Sequence, residues 1–208
     1  MTSGPLRITP RFTPDSVRLV QYTSVEEREQ FVLDTFGSQH FMWDAPDILR
    51  FDKDSRVLVG AEFQMPYGSL HAENADRAPG DTVLTCLRDL DVLDEPLEES
   101  IGIAPDVALV VQHGAVVGWS LTAPARYLTT GYADPDPDPP LPETRRLLSE
   151  CLDLVTDPVV DDLVDGVPAA VARLRAADEA LRAQREDRHR ADALLALIGT
   201  YVEDYGNG

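Results

Sequence analysis

The stretch Ala133-Asp134-Pro135-Asp136-Pro137-Asp138-Pro139-Pro140-Leu141-Pro142 constrains this chain more than any other. Each proline fixes its own φ and removes a backbone donor, so neither a helix nor an interior strand can run through it. Nine residues of such chain, extended as polyproline, reach about 28 Å. The segment divides the 208 residues into parts of different character. Before it the pattern mixes strand and helix; after it the pattern is helical almost without interruption. The expected organisation is an α+β domain over 1–133, an acidic Pro-rich linker over 134–142 and a helical region over 143–208. A stretch of some 60 residues buries little surface by itself, so the helical region is expected to pack on the first domain.

In the first part, Ser24-Val25-Glu26-Glu27 has the form of a capping box. Phe31, Val32 and Phe36 follow at helical spacing and Gly37 is a natural stop, so a helix is expected over 25–36. The runs 48–51 and 57–63 flank the polar turn Asp52-Lys53-Asp54-Ser55 and read as a β-hairpin. Residues 82–87 read as a strand. A second hairpin joins 107–111 to 115–121 through Gln112-His113-Gly114, where Gly114 supplies a positive φ. Residues 126–130 read as one more strand. Together these describe an antiparallel meandering sheet with one early helix covering a face.

In the second part, Pro142 introduces a helix over 143–155, and 158–164 is a short apolar and acidic segment. Pro168 stands where a proline at the first helical position belongs. No Gly or Pro follows until after Ile198. The middle of that span, 182–190, is nearly all polar, so a turn near Asp187 into a helical hairpin is favoured over one long helix. The series Asp178, Arg182, Glu186, Arg190 steps by four with alternating sign, as on an exposed helix face. Leu174, Leu181, Leu195 and Val202 have heptad-like spacing that would suit oligomerisation, but Arg188 interrupts the seam.

Charge narrows the function. There are 37 acidic residues against 17 arginines and one lysine, Lys53, a formal net charge of −19. Phosphate backbones and anionic lipid both require a basic surface, so nucleic acid and membrane are excluded as direct partners. Spread evenly over about 9,600 Å², these charges would sit roughly 22 Å apart, beyond a Debye length of about 8 Å. Only clustering creates a steering field. The dominance of Arg over Lys, with abundant Ala, Val, Leu, Pro and Asp, is a high-GC, bacterial-type composition, and a generally acidic proteome would look similar. No secretory signal or apolar run of membrane-spanning length is visible, and Cys86 and Cys151 read as buried reduced thiols; the expected compartment is the cytoplasm.

Chemical motifs are sparse. His40, Asp44, His71, Glu73 and His113 form the one set able to serve acid–base or metal chemistry, without a compact ligand spacing. Gly118-Trp119-Ser120-Leu121-Thr122 lacks the second glycine of a nucleophile elbow, and no phosphate loop occurs. The aromatic set Phe41, Met42, Trp43, Trp119 and Tyr127 reads as sheet core rather than a pocket. No catalytic residue, metal ligand or cofactor is assigned. The acidic set is the candidate binding surface. Asp134, Asp136 and Asp138 alternate with prolines; Asp153, Asp157, Asp161, Asp162 and Asp165 follow within 13 residues, with Val159, Val160, Leu163 and Val164 interleaved. Such an edge suits a basic protein partner, with charge setting the association rate and apolar contact the lifetime. The expected function is a non-enzymatic acidic binding protein, an adaptor or an inhibitor of the toxin-immunity type. The alternative is a small α+β enzyme or ligand-binding domain using the His/carboxylate set.

Overall fold

The computed structural model describes residues 6–36, 47–65, 70–71, 83–87 and 99–206. Among them lie nine strands, in two antiparallel sheets, and five α-helices. The chain is α+β. The first sheet has the order β1-β2-β4-β3, from β1 (Arg11–Phe12), β2 (Ser16–Leu19), β3 (Asp47–Phe51) and β4 (Leu58–Gln64). The second has the order β5-β6-β9-β8-β7, from β5 (Leu70–His71), β6 (Val83–Leu87), β7 (Glu99–Ala104), β8 (Val107–Gln112) and β9 (Ala115–Thr122). One meandering sheet is expected from the sequence pattern; two are found, joined by the stack of Phe63 in β4 on Trp119 in β9 at 5.6 Å.

Local chemistry sets the turns. Asp52 closes the β3–β4 hairpin by accepting from the backbone N–H groups of Asp54 and Ser55 and from the Ser55 hydroxyl. His113 and Gly114 both have positive φ, 50° and 74°, so the β8–β9 hairpin turns on two residues as a right-twisted ribbon prefers. Gly118 is required for another reason: a Cβ there would meet the Cys86 carbonyl oxygen at 2.0 Å, where β9 passes β6. Residues 126–130 form no strand. Ala123 is left-handed and Pro124 opens a short 3-10 turn, Pro124–Tyr127, which breaks the extended chain; only an isolated bridge ties Leu128 to Phe12.

Helix α1 (Val25–Phe36) starts as its capping box predicts: the Ser24 hydroxyl accepts from Glu27 N–H at 3.2 Å. The return bond goes one residue further back, to Thr23 N–H, at 2.7 Å. Prolines open α2 (Pro142–Leu154) and α4 (Pro168–Ala183) at positions whose N–H groups have no helical acceptor. Between these two lies α3 (Val159–Val164), and α5 (Arg188–Tyr205) completes the chain. The turn near Asp187 is present, with Gln184 extended at its start. Arg182 pairs with Asp178, but Arg190 turns inward to Asp187 instead of continuing the exposed series.

One cluster of buried side chains runs through both parts of the chain, from Phe12, Leu19 and Trp119 to Leu152, Leu174, Leu181 and Ile198. Each fully buried leucine contributes about 1.5–3 kcal/mol of transfer free energy. Leu174 and Leu181 are wholly buried, and Leu195 and Val202 pack against the same cluster. The heptad-like stripe is thus occupied within the chain. The proline-rich segment is anchored as well. Arg190, 1% exposed, donates to the carbonyls of Asp136 and Asp138 at 2.9 and 2.6 Å.

Candidate functional site

The acidic residues divide by whether an arginine reaches them. The exposed carboxylate of Asp134 pairs with buried Arg11 at 2.7 Å. Asp136 accepts from the backbone N–H of Asp138, folding the segment on itself. Arg173 lies 2.9 Å from Glu150 and 3.7 Å from Asp153. Burial pushes the Asp153 carboxyl up, Arg173 pulls it back, and Glu150 adds to the rise. The carboxylates of Asp136 and Asp138 have no ion-pair partner among the described residues, and the same holds for the four residues Asp157, Asp161, Asp162 and Asp165, all of them exposed.

Sequence and helix geometry together account for this. From Arg146 to Arg173 the chain has no basic residue, and α3 with its flanks lies within that span. Leu163 is 1% exposed and docks α3 on the core, which turns Asp161, Asp162 and Asp165 outward. Asp161 and Asp165 are one turn apart, about 5–6 Å between Cβ atoms and inside a Debye length of about 8 Å. Val164 stands among them at 58% exposure. Asp157 lies near the end of α5, where its charge adds to the rise in the Tyr201 phenol that burial and Tyr205 begin.

Of the His/carboxylate set, only His71 and His113 lie among the described residues. His40, Asp44 and Glu73 lie outside them, as do Phe41, Met42 and Trp43. His71 is in β5, and His113 is exposed at the β8–β9 turn. No group of three or more His, Cys, Asp or Glu among the described residues could hold a metal ion. Trp119 and Tyr127 are core residues, 0% and 6% exposed. Neither Cys86 nor Cys151 is in a disulfide, and both are buried. Burial, with Glu150 adding to it, pushes the Cys151 thiol up to about 12. Neither thiol is expected to react with iodoacetamide in the folded protein at mildly alkaline pH, and both should react once it is unfolded; mass spectrometry of the two samples checks this.

A second polar cluster was not anticipated from the sequence. Glu62 in β4 is 2% exposed and accepts three bonds at 3.2 Å, from Arg18 Nε, the Tyr22 hydroxyl and Arg50 Nη2. Register explains the meeting: Arg18 lies opposite Glu62 in β2, and Arg50 lies opposite Gly60 in β3, two residues along the same face. The Arg50 guanidinium sits 5.9 Å from the Tyr22 ring and 5.5 Å from the Phe31 ring. Arg18 lies 4.9 Å from the Tyr132 ring. The available signal was a charged residue of each sign inside strand-like runs, where an unpaired charge is not tolerated. No helix among the described residues is long and apolar enough to cross a membrane. No family model, curated protein or solved structure matches this chain.

Proposed function

We propose that this chain is a non-enzymatic binding protein, an adaptor or immunity-type inhibitor, that engages a basic protein partner through α3 and its flanks. One observation carries the reading: Asp157, Asp161, Asp162 and Asp165 stand exposed without arginines around exposed Val164. Several other carboxylates are taken up by arginines, as at Glu62, Asp134, Glu150, Asp178 and Asp187, whereas these four are crowded on one short segment that no arginine reaches among the described residues. Unpaired carboxylates within one screening length set up a local field that steers a cation-rich surface, and Val164 gives the encounter an apolar contact. Asp153 adjoins this surface at the end of α2, while Asp134, Asp136 and Asp138 lie apart from it, at the starts of α2 and α5. The reading places the chain in the cytoplasm and gives it neither nucleic acid nor membrane as a partner.

The test compares the wild-type chain with a variant in which Asp157, Asp161, Asp162 and Asp165 are all changed to Asn. Both serve as bait for lysate of the source organism at low and high salt. A stoichiometric basic protein is expected on the wild type, weakened by salt, with an association rate lowered about tenfold or more in the variant. Retention of the same proteins by both baits, at both salt concentrations, would falsify the reading.

A further inference from the structure

We propose that the cavity between α1 and the first sheet binds a small organic carboxylate with a compact apolar body, its carboxylate seated on Arg50. This site is separate from the α3 surface and does not depend on it. The cavity holds about 240 Å³ and is lined by Val20, Tyr22, Phe31, Arg50 and Val59, among others. Its walls are aliphatic and aromatic apart from Gln21, and its cation is Arg50.

Arg50 is unusual in what it lacks. Its side chain is 5% exposed, and Nη2 bonds Glu62. Nε and Nη1 are buried with no hydrogen-bond partner among the described residues. Buried donors are nearly always satisfied, and an unpaired buried charge is costly. The cluster is also out of balance: Arg18 and Arg50 share the single carboxylate of Glu62. One positive charge is left over, in a chain whose net charge is −19. Faces of Tyr22 and Phe31 offset part of it through their π-electrons but supply no acceptor for the two N–H groups.

A carboxylate supplies both the missing acceptor and the missing charge, with charge-assisted bonds to a planar fork. The apolar walls then select an acid with a hydrophobic body over a bare anion. Size limits that body. Drug-sized ligands occupy pockets of roughly 300–1,000 Å³, so this cavity suits a single ring or a short branched chain. The cavity opens to solvent beside Phe31, 36% exposed, and Val59, 41% exposed; Nε and Nη1 of Arg50 are sealed from it, so the carboxylate reaches them by displacing the side chains that cover them.

The test titrates the full chain with benzoate, isovalerate, benzamide and inorganic phosphate, following the NMR resonances of Phe31 and Val20. At least one of the two acids is expected to shift them with a Kd of about 1 mM or tighter. Benzamide, which keeps the ring and loses the charge, should bind about tenfold to a hundredfold more weakly. Phosphate should bind more weakly than the acid. Arg50→Gln should abolish the shift. Because Arg50 also holds Glu62, Val59→Trp provides an independent variant: it fills the mouth from a half-exposed position and should remove binding while the fold persists. The proposal is overturned if neither acid shifts the resonances at about 10 mM. It is equally overturned if benzamide or phosphate binds as tightly as the acid, or if folded Val59→Trp binds it unchanged.

Discussion

Arg190→Met is expected to lower the stability of the folded chain by about 3–5 kcal/mol, the usual cost of breaking one side of a buried ion pair. Arg190 is 1% exposed and Asp187 6%. They meet at 2.9 Å, and the guanidinium also holds the carbonyls of Asp136 and Asp138. Asp187 in turn accepts from the Thr144 hydroxyl at 2.6 Å and from Leu141 N–H at 3.3 Å. This one pair therefore fastens the proline-rich segment, the start of α2 and the α4–α5 turn. Without the guanidinium, the Asp187 carboxylate keeps its neutral donors but loses its countercharge, and two carbonyls lose their donor. For a chain of this size the melting temperature should fall by roughly 6–20 °C. The companion change Arg182→Met is the control. Its pair with Asp178 has the same kind of geometry, but Arg182 is 65% exposed, and the loss should stay below about 1 kcal/mol. A further Asp187→Asn in the Arg190→Met background should restore part of the loss by removing the stranded charge. Chemical denaturation of the four proteins measures all of this. An Arg190→Met chain as stable as Arg182→Met would mean that the anchor does not hold the segment.

The parts of this fold that were legible in the sequence are those fixed by neighbours in the chain. Ser24 and Glu27 start α1 through bonds spanning three or four residues. Prolines at 142 and 168 start their helices, and Asp52 and Gly114 close their hairpins, by equally local means. Strands β1, β2 and β7 were not anticipated. Arg11 and Arg18 interrupt the apolar pattern of the first two, and Glu99-Ser100 with Gly102 gives β7 weak strand propensity. Those charges are stable where they are because their partners are distant in sequence: Arg18 meets Glu62 44 residues on, and Arg11 meets Asp134 123 residues on. Residues 126–130 fail in the opposite direction. Their apolar content is that of a strand, and Tyr127 and Leu128 do enter the core, but a left-handed Ala123 and Pro124 turn the chain first. The acidic set follows the same logic. Its composition was visible, and the gap in basic residues between Arg146 and Arg173 lies in the sequence itself. Which acids stay unpaired was not visible, because Arg11 and Arg173 reach Asp134 and Asp153 only through packing.

Glu62→Gln is expected to cost about as much as Arg190→Met, about 3–5 kcal/mol, and to carry a second signature at high pH. Glutamine keeps one acceptor and adds an N–H₂ group, while the site presents three donors, so Arg18 and Arg50 lose their shared countercharge. The pH signature comes from Tyr22. Burial first, and the Glu62 charge second, push its phenol up to about 12, against 10 for an ordinary tyrosine. Below pH 10 both the folded and the unfolded chain keep this proton. Between about 10 and 12 the unfolded chain releases it and the folded chain does not. The unfolded state then binds fewer protons, so rising pH favours unfolding, by about 1–3 kcal/mol across the window. Removing the Glu62 charge leaves the larger cause, burial, in place. The alkaline loss in Glu62→Gln should therefore begin at the same pH and end earlier, at a smaller total. In Tyr22→Phe this contribution should vanish, leaving those of Tyr127, whose phenol is also pushed up to about 12 by burial and its bond to Asp106, of the Cys151 thiol, pushed up to about 12 by burial, and of the raised Tyr201 phenol. Urea titrations of wild type, Glu62→Gln and Tyr22→Phe between about pH 9 and pH 12 separate these outcomes. An alkaline loss in Tyr22→Phe equal to that of the wild type would show that the phenol above Arg50 is not held neutral by the cluster around Glu62.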